Sequence, residues 1–367
     1  MPEIWVPYGN VESLVTIQAE NLGVVAEAAP ESSPVDTGRA AELVKGASEI
    51  FVSDATPTTI ELLRVLVPTL AELQTLKLFS AAPKRIEGGV PELKGKVTTL
   101  PPPVPSAEGD EAVYASQLQE PGAKLFLGSA RPDPLFGLVD TKVGACLNWI
   151  ARSQGVASQA RKGMEPEPLK KTEAYDAVET LAERIRESSF LTAIPRGGKL
   201  RAVMEGAPFD AIKNAFARMS MPQARGMVIG AGGRGYDDTF SSALRGVWSV
   251  IEGVRRTGTV LLIAECSEGM GSTALEMLVT GRLAGEGERR KERYVAGLEE
   301  VFYLNKLKDE YDVLLLSGLP ETYARSKLGL TTAKGAGEAV GRMLNKVGRS
   351  GKLNVVTRAS ECQVESG

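Results

Sequence analysis

The residues able to do chemistry sit in short stretches that each follow an apolar run. The stretch "IFVSDATPTTIELL" places Asp54, Thr56, Thr58 and Thr59 at the joint between a strand-like and a helix-like pattern. Helix capping explains such a joint if Thr58 or Thr59 accepts the first free backbone N–H groups, with Glu61 adding negative charge in the first turn. The alternative is a ligand, because loops at the carboxyl ends of strands in α/β sheets bind small molecules. "APKR" then supplies Lys84 and Arg85, and "ARPDP" supplies Arg131 and Asp133, with Lys142 shortly after. Lysines and arginines at strand ends favour a carboxylate or phosphate through charge-assisted hydrogen bonds. The threonine hydroxyls would add neutral donors to the same anion.

Further along, "AGGRG" presents Gly232 and Gly233, and "AECSEGMGS" presents Glu265, Cys266, Glu268 and Gly269. The first is a glycine turn that could hold an anion, but it has the spacing of neither the dinucleotide fingerprint nor a P-loop. In the second, Gly269 and Gly271 allow close backbone approach, and Ser272 is a natural helix cap. Cys266 reads as a buried inert thiol, since nothing nearby would activate it.

One count governs the chemistry: the chain has no histidine. Histidine titrates near neutral pH unaided and is the commonest metal ligand. Any His-based triad, metal site or proton shuttle is therefore excluded. Acid–base work would fall to lysine or to carboxylates such as Asp54 and Asp133.

The elements that must position these residues alternate. "EIFVSD", "LKLFSA" and "AKLFLGS" read as buried strands separated by helical patterns, one of them containing Pro68. "SFLTAIPRGGKLRAVMEG" reads as a hairpin and Phe209–Met219 as a helix. A new series opens at "MVIGA", with Asp237 or Asp238 capping a long helix to about Arg256. "PPPVPSAEGD" and Arg152–Lys171 read as surface connections. Alternation of this kind predicts an α/β fold with mostly parallel sheets flanked by helices. The 367 residues suit two domains, 1–220 and 221–367, with a ligand cleft expected between them.

The composition is that of a soluble globular protein, 43% hydrophobic and 24% charged. A net charge of −3 argues against nucleic-acid binding, which usually needs a strong basic excess. The three cysteines, Cys146, Cys266 and Cys362, form no paired spacing, so a reducing, cytoplasmic setting is expected. The N-terminal residues lack a signal-peptide pattern, and no apolar run is long enough to span a bilayer.

In these motifs the chain resembles the nickel-pincer lactate racemase family of 2-hydroxy-acid racemases and epimerases. The resemblance rests on the Gly-Gly turn at Gly232–Gly233 followed by "GTVLLIAECSEGMGS", on Asp54, Thr56, Pro57 and Thr58, and on "FLTAIPRGGKLRAVMEGAPFDAIKNAFA". It implies a two-domain α/β fold and a nickel-bearing pincer nucleotide joined to a lysine close to Lys142. It also implies histidines that hold nickel and move protons, which this chain lacks. The arginine that the family carries after Asp-x-Thr is replaced here by a direct step to Pro57. Losing one positioned acid or base costs about 10²–10⁴ in rate. The resemblance therefore implies a family fold without racemase chemistry and without the nickel cofactor, acting on a small anionic molecule or through a protein partner. The alternative is an isomerase that uses Lys84, Lys142 and Asp133 as acid–base groups.

Overall fold

A computed structural model describes residues 2–27, 35–73, 77–101, 103, 112–151, 169–283, 295–348 and 350–367. The stretches "PPPVPSAEGD" and Arg152–Lys171 fall largely outside these residues. The chain forms two compact units, and their division differs from a cut at residue 220. The strands β1 (Glu3–Tyr8), β2 (Val11–Thr16) and β3 (Leu22–Ala26) belong with the residues from 217 onward. The other unit is built from residues between 30 and 216.

In that unit the helices are α1 (Gly38–Gly46), α2 (Pro57–Ala71), α3 (Pro83–Gly89), α4 (Ser116–Gln119), α5 (Thr141–Trp149), α6 (Glu173–Glu183) and α7 (Phe209–Ala215). The strands β4 (Glu49–Val52), β5 (Lys77–Ser80), β6 (Val97–Thr99), β8 (Lys124–Ser129), β12 (Ser188–Arg196) and β13 (Lys199–Glu205) form a six-stranded sheet in the order β13-β12-β8-β4-β5-β6. Its pairings are parallel except the β12–β13 hairpin. Short antiparallel pairs join β7 (Val113–Tyr114) to β11 (Ile150–Ala151) and β9 (Arg131–Asp133) to β10 (Gly137–Val139). Every residue of β4 and β8 is buried, as a parallel sheet covered on both faces requires.

One face of this sheet carries a row of phenylalanines. Phe190, Phe126, Phe51 and Phe79 come from four neighbouring strands and stand in direct register. Their rings stack at centroid separations of 4.9, 4.9 and 5.1 Å. Trp149 of α5 meets Phe51 edge-on at 5.3 Å. Each such pair adds about 0.5–1.5 kcal/mol beyond its burial, and a one-residue slip of any strand would turn its ring to the opposite face.

In the other unit the strands are β14 (Ala217–Met221), β15 (Ala224–Gly230), β16 (Val254–Ile263), β17 (Asp312–Leu316), β18 (Thr331–Thr332), β19 (Leu353–Val356) and β20 (Cys362–Ser366). Its helices are α8 (Phe240–Val250), α9 (Thr273–Val279), α10 (Leu298–Glu310) and α11 (Ala336–Val347). A second six-stranded sheet, wholly parallel, runs β18-β17-β16-β15-β19-β3. The β1–β2 hairpin packs Val6 and Val15 with Ile263, Leu314 and Met343. Phe240, Trp248 and Leu304 belong to a separate buried cluster of the same unit.

Two expectations change here. The helix from Phe209 stops at Ala215, because Ala217–Met221 alternates buried and exposed positions and pairs with β20 instead. The helix expected to run from Asp237 or Asp238 to Arg256 is capped by Thr239 and ends at Val250. A 3₁₀ turn at Ile251–Gly253 then leads directly into β16.

Buried Asn354 on β19 ties distant segments together. Its Oδ1 accepts from the Val24 N–H at 3.0 Å, and its Nδ2 donates to the carbonyls of Pro222 (2.8 Å) and Gly253 (3.3 Å). Removing it orphans backbone groups that water cannot reach. Asn354→Ala is expected to lower stability by about 2–4 kcal/mol, read as a fall in the urea midpoint at unchanged slope. A loss below about 1 kcal/mol would show that these bonds are dispensable.

Candidate functional site

Register places the first candidate group. Phe51 and Phe126 are paired, and three residues beyond each lie Asp54 and Ser129. The Asp54 carboxylate is ringed by donors from both segments. Oδ2 accepts the Ser129 N–H at 2.8 Å. Oδ1 accepts from the hydroxyls of Thr59 (2.5 Å) and Thr56 (3.0 Å) and from the Thr56 N–H (3.1 Å). The Ser129 hydroxyl lies 3.2 Å from both carboxylate oxygens. The Thr56 and Ser129 hydroxyl oxygens lie 2.8 Å apart, within hydrogen-bond distance of each other.

This network corrects the capping expectation. The N-cap of α2 is Thr56, whose hydroxyl accepts from the Thr59 N–H at 3.3 Å. Pro57 follows at the first helical position, where its fixed φ and missing N–H cost nothing. Thr58 is fully buried. The hydroxyls expected to donate to an anion are therefore engaged by Asp54 or enclosed. Ser129, not singled out in the sequence, and Thr59, named there only as a possible cap, are as much a part of this group as Asp54.

The positive residues lie around it on the same sheet edge. Lys84 and Arg85 follow β5, and Arg131 follows β8, the two strands that flank β4. Lys84 is exposed, while Arg85 and Arg131 are half-buried. Lys142 lies on α5, where Nζ pairs with Glu179 at 2.8 Å; Lys171 reaches the same carboxylate at 3.0 Å. These two cations hold Glu179 below the usual carboxylate range, outweighing a burial effect that is the largest single influence and acts the other way. Beside Lys142, buried Asp140 caps α5 through the Val143 N–H and accepts from the Tyr175 hydroxyl at 2.6 Å. Burial raises the Asp140 carboxyl despite those bonds.

Asp133, the acid–base candidate on β9, lies in a buried turn. It is 1% exposed, and its Oδ1 accepts the N–H groups of Leu135 (2.8 Å) and Phe136 (3.1 Å). It closes the β9–β10 turn. The run Asp133-Pro134-Leu135-Phe136-Gly137 carries that signal in its types, since an aspartate bonding the backbone two residues on is a common turn device.

The second group lies in the other unit, at the carboxyl ends of β15 and β16. Gly233 adopts φ +82°, and a Cβ there would come 2.9 Å from Pro7 Cβ. Gly232 accepts from Arg358 Nη1 at 3.1 Å through its carbonyl. Asp237, fully buried, binds the Gly9 N–H at 2.8 Å and the Glu265 N–H at 3.3 Å through Oδ2, while Oδ1 has no partner. Glu265 accepts from the Ser267 hydroxyl at 3.1 Å. The Glu268 N–H donates to the Asp238 carbonyl at 2.7 Å, and the Gly269 carbonyl accepts from the Phe240 N–H at 2.9 Å. The glycine turn and the "AECSEGMGS" stretch are thus laced to each other and to the tip of the β1–β2 hairpin. Gly9 and Asp237 stand 228 positions apart, which hid their contact from a local reading. Burial and the nearby Asp237 and Glu265 raise the Cys266 thiol, in keeping with an inert cysteine. Among the described residues no His, Cys, Asp or Glu cluster is placed to hold a metal ion.

No protein-family model and no curated protein matches the sequence. Among solved structures, the fold is similar to that of the lactate racemase apoprotein from Thermoanaerobacterium thermosaccharolyticum. The TM-score is 0.72 at 15% identity, covering 99% of this chain and 100% of that one. A protein from Thermotoga maritima is similar at a TM-score of 0.58 and 13% identity, over 92% and 100% of the two chains. The chain has the lactate racemase fold: mixed α/β with mostly parallel sheets flanked by helices.

The cap assignment is testable by substitution. Thr56→Val should destabilise the protein by about 1–2 kcal/mol in denaturant titration, because it removes a cap and an Asp54 donor together. An effect below about 0.5 kcal/mol would reject Thr56 as the cap.

Asp237 gives a pH dependence with a defined sign. Burial raises its carboxyl above the usual range, against the opposing Gly9 and Glu265 amide bonds. Ionisation thus costs the folded state more than the unfolded one. Stability from this group is full in acid, below the unfolded value, and declines as pH rises through the folded one. Asp237→Asn, which cannot ionise, should gain stability relative to wild type from about pH 4 to pH 7. Parallel pH–stability curves would show that Asp237 titrates alike in both states.

Proposed function

We propose that this protein uses the lactate racemase fold without nickel-dependent racemisation, and that it binds a small anion, such as a 2-hydroxy acid or a nucleotide-like phosphate, at the strand ends around Asp54. The observation that carries the first part is the absence of histidine from all 367 residues. In the family that the sequence resembles, histidines hold the nickel of a pincer nucleotide and move the protons. Here no imidazole is on offer, and the lysine nearest the expected attachment point, Lys142, is 13% exposed and paired with Glu179. Those residues do not fit the pincer cofactor.

The binding role is supported by Lys84, Arg85 and Arg131, which approach one sheet edge from the strands on either side of β4. Asp54 contributes by position, since its bonds hold the β4 and β8 loops together and so set the spacing between those cations. The isomerase alternative keeps Lys84 but loses support elsewhere, since Asp133 is buried in a turn and Lys142 is ion-paired. A cytoplasmic setting agrees with three buried free cysteines. No helix among the described residues is long and apolar enough to cross a membrane.

Metal analysis of purified protein should find no stoichiometric nickel, and a chiral lactate assay with the pincer cofactor supplied should show no racemisation. Phosphate or lactate at millimolar concentration should raise the melting temperature, as a ligand that binds only the folded state must. Lys84→Ala or Arg131→Ala should shrink that rise. A nickel-to-protein ratio near one with turnover would overturn the first part, and melting curves indifferent to both anions would overturn the second.

A further inference from the structure

The unit that carries β15, β16 and β17 has a cavity of about 520 Å³ at the amino ends of those strands, the edge opposite Glu265. Its volume falls within the range usual for small-molecule sites. Arg256 and Lys306 line it, and so do Glu252 and Glu310. Lys306 and Glu310 are four apart on α10, a spacing at which opposite charges on a helix commonly pair. Yet no ion pair among the described residues joins any of these four side chains.

A second observation points the same way. Tyr303, 4% exposed, lines the cavity, and its hydroxyl is buried without a hydrogen-bond partner. Tyr311 and Glu310, which also line the cavity, act on that hydroxyl and add to the effect of burial in raising its pKa. The hydroxyl is enclosed in the wall beside the cavity and stays a donor at neutral pH. Buried polar groups without partners are rare in folded proteins, and this one lacks an acceptor. Ile251, Val254 and Leu307 supply an apolar wall.

We infer that this cavity binds a large apolar α-amino acid as its zwitterion. The carboxylate would lie against Arg256 and Lys306, the ammonium against Glu252 and Glu310, and the side chain on Val254 and Leu307. A carboxylate oxygen would accept from Tyr303. The walls carry equal numbers of positive and negative side chains, which suits a neutral pair of charges and disfavours a multiply charged phosphate. This site is separate from the one around Asp54 and stands or falls independently of it.

The test is titration calorimetry and thermal unfolding of the full chain with L-phenylalanine, N-acetyl-L-phenylalanine and L-phenylalaninamide. L-Phenylalanine at about ten times its dissociation constant should raise the melting temperature of this unit's transition by roughly 3–6 °C. The N-acetyl form lacks the cation and the amide lacks the anion, so each should bind at least about tenfold more weakly. Lys306→Gln and Glu310→Gln change half-buried side chains in the last two turns of α10 and should leave the ligand-free melting temperature within about 2 °C while reducing affinity about tenfold. Tyr303→Phe keeps the ring and should weaken binding without loss of fold. No heat and no shift with L-phenylalanine up to about 10 mM would overturn the inference. Equal binding of the blocked forms, or unchanged affinity in the folded Lys306→Gln and Glu310→Gln proteins, would overturn it too.

Discussion

The row of stacked phenylalanines is the constraint on which the Asp54 region depends. Phe51 and Phe126 hold β4 and β8 in register, so that the residues three positions beyond them meet. Asp54 and Ser129 can bond only if that pairing is kept. A slip by one residue would cost the stacking and also move Ser129 away from the carboxylate. Stability and site geometry therefore rest on the same contacts. Changes to Phe51 or Phe126 would reach the strand-end loops without touching them.

The two strand-end groups use carboxylates in a similar way. Asp54 and Asp237 each follow a buried strand, and each collects donors from a segment far away in sequence. In both cases the charge is spent on fixing loops. Asp54 is satisfied by hydroxyls and two amides, whereas Asp237 binds amides with one oxygen and keeps the other without a partner. Burial raises the Asp237 carboxyl despite its amide bonds. Lys84, Arg85 and Arg131 lie beyond the strands that flank β4.

Much of the fold was legible because buried parallel strands leave unbroken apolar runs such as "IFV" and "LFLG". The strand-end loops were legible for the same reason, since polar residues mark where those runs stop. Thr56 was misjudged because adjacent threonines compete for the cap, and the informative residue was Pro57, which fixes the helix start just after Thr56. The burial of Asp133 follows from the turn it closes, through the Leu135 and Phe136 amides. Asp237 was assigned to a helix start, while its bonds run to Gly9 and Glu265, which no local pattern reveals. The hairpin's place beside the C-terminal half was hidden likewise, because β3 pairs with a strand more than three hundred residues later.

That last pairing has a consequence for how the chain is made. The unit containing β3 lacks β15 through β19 until most of the polypeptide has emerged, whereas the unit between residues 30 and 216 is complete well before then. Domains that emerge first generally fold first during synthesis. The inserted unit can thus close on the ribosome while the β1–β2 hairpin and β3 wait for the sheet and helix they pack against in the finished protein. Ile4, Val6, Val15 and Ile17, all buried in the finished protein, are open to water and to other nascent chains for that interval. Slow translation past residue 216 would lengthen it, so the N-terminal hairpin is where chaperones would be needed most.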